Sequence, residues 1–160
     1  MSIKEKINYD NLLDLNELEE AVEGLTSEER MELVKELYPD LKMKVVPMGE
    51  GNRGENKYKI TLSNNGFKFN TTFSDSLYNT WENNRSSDFE MLYCIIMDAE
   101  CYDNYGSTLN EFADNMGFDL YTDEKRALKV LRGCEKAYNN INSLVGEEGY
   151  NVLLAITSNF

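Results

Sequence analysis

Apolar side chains recur along this chain with changing rhythms, and the changes divide it into three parts. Leu15, Leu18, Val22 and Leu25 stand at helical spacing, while Asp14, Glu17, Glu19, Glu20 and Glu23 fill most positions between them. This is the pattern of an amphipathic helix with an acidic outer face, and Gly24 is expected to close it. Thr26, with Glu29 three residues on, is a capping-box signature that predicts a second helix through Met31, Val34 and Tyr38, stopped by Pro39. The two form an acidic helical hairpin over residues 1–39. Glu28, Glu32 and Glu36 stand four apart on the second helix and predict a carboxylate ladder on its outer side.

From Leu41 the period becomes two. Leu41, Met43 and Val45, then Tyr58, Ile60 and Leu62, then Phe67, Phe69 and Phe73 alternate with lysine, threonine or asparagine, predicting three half-buried strands over residues 40–75. Asn65-Gly66 is the strongest two-residue hairpin signal in the chain. The expected antiparallel meander puts Lys42, Lys44, Lys57, Lys59 and Lys68 on the face opposite the aromatics. Stacking of single-stranded nucleic acid needs both on one face, so a solvated, edge-protecting lysine face is the plainer reading. The stretch GEGNRGEN between the first two strands precedes a strand and lacks the helix N-terminus and lysine of a phosphate cradle. Its Arg53 is a candidate contact residue only.

The remainder, residues 86–158, reads as helices. Ser87 and Glu90 form a cap before MLYCIIMDAECY, and Thr108 and Glu111 form another before Leu109, Phe112, Ala113 and Met116, with Gly117 as terminator. Ala127, Leu131, Cys134, Tyr138, Ile141 and Val145 then step by fours and threes, the rhythm of a long helix with a packed seam. Tyr150 to Ile156 add a last buried turn. The 160 residues are read as one α+β domain: a three-stranded antiparallel sheet between an N-terminal helical hairpin and a C-terminal helical bundle.

Charge follows the same boundaries. Residues 1–40 hold 12 acids and 4 bases, residues 41–73 hold 2 and 6, and residues 74–160 hold 15 and 6, for a net charge of −13. Such a charge opposes bare nucleic acid and anionic membranes and favours basic protein surfaces.

The chain has no histidine, which removes His-based triads, His-containing zinc sites and imidazole pH switches. Asp98, read as ending the buried helix near Cys94 and Cys101, is the best remaining acid for chemistry, with capping or pairing as its simpler role. DAECYDNYG and DLYTDEKR lack the spacing of a calcium loop. No enzyme activity, metal or cofactor is expected. Three cysteines are odd in number, and Cys94 and Cys101 on one helix would lie about 10 Å apart at ~1.5 Å per residue, too far to bridge. Buried, inert thiols in a reducing cytosol fit this best. No secretion signal or membrane span is expected.

Residues 86–134, SSDFEMLYCIIMDAECYDNYGSTLNEFADNMGFDLYTDEKRALKVLRGC, resemble a pattern recurring in small proteins of bacteriophages and prophages. There a helix reading roughly D-x-L-x-C-L-x-x-D-A precedes F-x-x-F-x-x-x-x-G-Y-D and a D-S-x-K-A-type helix. Asp88, Leu92, Cys94, Asp98 and Ala99 match the first segment; Leu109, Phe112, Gly117 and Asp119 match the second, with Phe118 in place of tyrosine; Asp123, Lys125 or Arg126, and Ala127 match the third. FKFNTTFSDSLYNTW is also similar, so the resemblance covers roughly residues 56–140. It carries a scaffold and no activity.

In size, charge and lack of a catalytic set the chain resembles anti-CRISPR proteins within that group. The resemblance implies a phage protein in the host bacterial cytoplasm, monomeric or dimeric, that inhibits a CRISPR effector nuclease, type II by expectation, through an acidic surface. A phage interaction protein aimed at another host target, a nucleic-acid enzyme or a defence protein, is the alternative. The hairpin lies outside the shared pattern, so the candidate partner-binding residues are Asp14, Glu17, Glu20, Glu28, Glu32 and Glu36, with Arg53.

Overall fold

The computed structural model describes residues 1–51, 54–74 and 88–158. Its helices are α1 (Ile3–Lys6), α2 (Leu15–Val22), α3 (Ser27–Leu37), α4 (Asp88–Tyr105), α5 (Leu109–Met116) and α6 (Leu120–Thr157); its strands are β1 (Lys42–Glu50), β2 (Asn56–Asn64) and β3 (Phe67–Ser74). The strands form one antiparallel sheet in the order β1-β2-β3, with helices before and after it, an α+β fold.

Sheet register follows from the period of two. Tyr58, Ile60 and Leu62 on β2 and Phe69 on β3 are buried, while Lys42, Lys44, Lys57, Lys59 and Lys68 are all exposed. Asn65 (φ 48°) and Gly66 (φ 90°) both take the left-handed conformation of a type I′ turn, which pairs Asn64 with Phe67 and sets the β2–β3 register. Asn64 continues the inward row of β2, and its amide donates to the Leu144 carbonyl at 2.8 Å, so the polar residue on the apolar face is satisfied by α6. The alternation stops mattering in the outer part of β1, where the register shifts between Pro47 and Gly49 and both Val46 and Met48 are exposed.

Helix α6 is the centre of the molecule, touching α2, α3, α4, α5, β2 and β3. Ala127, Leu131, Cys134 and Ile141 from the heptad seam are buried on it. The seam does not run straight into the C-terminus. Gly146 breaks the helix with φ 81° and ψ 172°, a conformation essentially confined to glycine, and the helix resumes to bury Tyr150, Leu153 and Ile156. Tyr138 bridges the break: its ring lies 5.3 Å from Tyr102 of α4 and 5.4 Å, edge-on, from Tyr150. A smaller cluster of Phe112, Leu131 and Cys134 seats α5.

Several elements differ from the sequence pattern. Helix α1 and a 3-10 turn at Tyr9–Asn11 precede the hairpin, where the spacing predicts nothing, because four residues carry too little periodicity. Helix α2 ends at Val22, and Gly24 does not take the left-handed conformation expected of a terminator. Asp98 lies inside α4, which continues to Tyr105, rather than at a helix end, because apolar positions past it still pack. Ser87, half of one predicted cap, lies outside the described residues.

Candidate functional site

The acids singled out on the hairpin divide into two groups by what their oxygens do. Asp14 is the N-cap of α2, its side chain accepting from the Glu17 amide at 2.9 Å, and the Glu17 carboxylate accepts in return from the Leu13 amide. Asp14 thereby caps the first turn of α2, and Glu17 ties the helix to the residue before the cap. Glu36 is not a free rung of a ladder: it accepts from the amides of Ile3 at 2.9 Å and Lys4 at 3.0 Å, closing the N-terminus of α1 against α3. The solvent-facing ladder expected from the spacing therefore has two members, Glu28 and Glu32, both exposed.

Glu29 belongs with the structural group. Its carboxylate and Thr26 exchange both bonds of a capping box at 3.1 Å, and it pairs with Lys6. That hydrogen bond from Lys6, followed by the one from the Thr26 amide, holds the Glu29 carboxyl below its ordinary range. Glu20, Glu28 and Glu32 remain exposed, and among the described residues their carboxylates accept no hydrogen bond and make no ion pair. Arg53 lies outside the described residues.

Sequence reasoning missed Arg30, which hydrogen-bonds the hairpin to the end of α6. It is 3% exposed, and Nη1 donates to the carbonyls of Ile156 and Ser158, both at 2.8 Å. Those carbonyls end α6, where intrahelical donors run out and a cation is favoured. Desolvation pulls the Arg30 pKa down, offset in part by Glu23, yet a guanidinium stays charged in proteins. Its position next to Glu29 in a helical hairpin gave no signal, since a buried arginine reads like a surface one.

The lysine face is intact across all three strands. Lys42 and Lys68 flank Ser63, and Lys59 stands between Val46 and Thr72. Among the described residues none of its five lysines makes an ion pair. Lys57 and Lys59 belong to the central strand, so edge protection accounts only for the other three.

Asp98, Cys101 and Cys134 lie together between α4 and α6. Asp98 is at the surface, but the flanking helices desolvate it and raise its carboxyl above the ordinary range. Burial, then the nearby Asp98 carboxylate, raises the Cys101 thiol and pushes Cys134 up to about 12, away from thiolate reactivity. All three cysteines are free thiols. Among the described residues no group of three or more Cys, Asp or Glu side chains could hold a metal ion, and no helix is long and apolar enough to cross a membrane.

No family model, curated protein or solved structure matches the chain.

Proposed function

We propose that this chain is a non-catalytic binding protein that engages a basic protein of the host cytoplasm through the exposed carboxylates of α2 and α3, with Glu20, Glu28 and Glu32 as its centre. The observation that carries the reading is the division of the hairpin acids: Asp14, Glu17, Glu29 and Glu36 hold the helices in place, while Glu20, Glu28 and Glu32 are presented to solvent on a braced support. A rigid charged surface loses little entropy on binding and steers a partner of opposite sign. The resemblance to anti-CRISPR proteins in size, charge and lack of a catalytic set supplies the particular target, a type II CRISPR effector nuclease. Such an enzyme keeps its guide and target in positively charged channels that carboxylates can occupy.

The test is plasmid cleavage by a purified, guide-loaded type II nuclease titrated with the chain. Inhibition that saturates near one chain per nuclease supports the reading, and it should weaken when Glu28 and Glu32 are reversed to lysine. Undiminished cleavage at large excess removes this target, and a pull-down from a bacterial lysate then asks whether another basic host protein takes its place. Inhibition that grows with time at substoichiometric amounts would instead mark an enzyme.

A further inference from the structure

Beside the acidic hairpin runs a groove that the reading above does not use. It has two lobes, of about 350 and 460 Å³, both lined by Tyr9, Leu15 and Val152. The 3-10 turn and the start of α2 form one wall; Tyr38 and the segment of α6 after Gly146 form the other. The break at Gly146 redirects this segment, and Gly149 keeps the wall thin: a Cβ there would lie 2.5 Å from the Val145 side chain and 3.2 Å from the Tyr38 hydroxyl.

At the mouth Leu13 is 87% exposed and Leu15 41%. One exposed leucine is ordinary, but two at the lip of a trough whose lobes share Tyr9, Leu15 and Val152 form a patch of the kind that marks an interaction site. The rim is acidic, with Asp10 and Asp14 at one lobe and Glu148 at the other. Their field reaches the floor: after burial, Asp10 helps raise the Tyr9 phenol, and Tyr9 and Glu148 help push Tyr38 up to about 12. Both tyrosines are therefore neutral hydroxyls beside carboxylates at neutral pH.

We infer that this groove docks a basic amphipathic helix of the partner protein, its apolar stripe on Tyr9, Leu13, Leu15 and Val152 and its lysines or arginines against Asp10, Asp14 and Glu148. This rests on the reading of the hairpin as a protein-binding surface and names what that surface grips. A helix fits because helical elements and the short Leu12–Asp14 connection line the groove and no strand does, so an extended segment finds no sheet edge to pair with. A second copy docked symmetrically would set acidic rim against acidic rim, and its lysine face has no apolar stripe to insert. Residues 75–87 of the same chain carry two acids and one base, which does not complement the rim.

The experiment titrates the full chain with two fluorescein-labelled peptides of one leucine–lysine composition, read by anisotropy. One places leucine at i, i+3, i+4 and i+7; the other scrambles the order. The amphipathic peptide should bind more tightly, and Leu13→Ser should weaken it roughly tenfold, the effect of losing one buried leucine, with an unchanged melting temperature. Asp10→Lys should weaken it too and make the remaining binding less salt-dependent. Equal affinity for both peptides overturns the groove; if Glu28→Lys with Glu32→Lys then weakens both peptides, the acidic-surface reading stands without it. No binding of either peptide, or binding indifferent to Leu13→Ser, also overturns it. A dimer in sedimentation that Leu13→Ser dissociates would assign the groove to a second copy and overturn the proposal.

Discussion

Arg30 on α3 reaches the carbonyl of Ile156, 126 residues away in the chain, at 2.8 Å. The contact ties the N-terminal hairpin to the last turn of the helix that organises the core, and it does so through a buried charge. Replacing Arg30 by methionine keeps much of the packing but leaves the Ile156 and Ser158 carbonyls without their donor. Bonds to charged groups contribute about 1.5–3 kcal/mol each and lost partners are costly, so the variant should lose roughly 2–4 kcal/mol in urea unfolding. Amide exchange in Leu153–Thr157 should accelerate more than exchange in β2.

The three rungs of the α3 ladder should separate in stability. Glu36→Ala removes the acceptor for the Ile3 and Lys4 amides and should cost about 1 kcal/mol, the usual effect of losing a helix cap. Glu28→Ala and Glu32→Ala, at exposed positions, should stay within ~0.5 kcal/mol each. Equal losses at all three positions in chemical denaturation would show that Glu36 does not brace α1.

The hairpin shows where sequence pattern reaches its limit. Strand alternation, the Asn65-Gly66 turn and the Thr26–Glu29 box are local relations, and each stands in the structure as the spacing predicts. The Asp14–Glu17 cap is equally local and was legible as an acid with Glu three residues on; the surrounding acids hid it among surface charge. Glu36 could not be separated from Glu28 and Glu32, because its partners lie more than 30 residues away. Nor does periodicity show the groove: Leu13 lies before α2, outside the helical rhythm, and the opposite wall depends on the turn at Gly146.

Three glycines of α6 should respond differently to alanine. Gly133 is exposed, with open space where a Cβ would go, so Gly133→Ala should stabilise by about 0.5–1 kcal/mol. Gly146 holds φ 81°, and Gly146→Ala should cost roughly 1–3 kcal/mol of strain. Gly149→Ala must displace the Val145 side chain and should cost a similar amount. Thermal melts rank the three, and a stabilising Gly146→Ala would contradict the break in the helix.

Asp98 gives a pH signature. Desolvation raises its folded pKa above the ordinary 3.8, so between the unfolded and folded values the native state holds more proton than the unfolded state. Stability from this group is therefore greatest below the unfolded pKa and falls as pH rises through the folded one. Asp98→Asn removes the fall, and it should melt higher than the parent at neutral pH and equal it near pH 3. The side chain is exposed, so solvent screening keeps the gain below the ~2–4 °C that 1 kcal/mol produces at this size. A gain at acid pH that disappears at neutral pH would reverse the sign.

Charge reversal can locate the recognition surface, because both helical regions are acidic and only one is expected to bind. Glu28→Lys with Glu32→Lys changes four units of charge on an exposed ridge of α3 that no structural bond uses, so the fold should persist. Glu111, Asp114 and Asp119 lie around α5, also exposed, but Asp119 caps α6 by accepting from the Tyr121 amide at 2.9 Å. Reversal there is best limited to Glu111 and Asp114. Against the guide-loaded nuclease, the α3 pair should lower the association rate several-fold at low salt and less at high salt, where screening over about 8 Å already weakens steering. The α5 pair should leave the rate near that of the parent. An association rate insensitive to salt and to the α3 pair, but lost with the α5 pair, would move the binding surface to the opposite end of the chain.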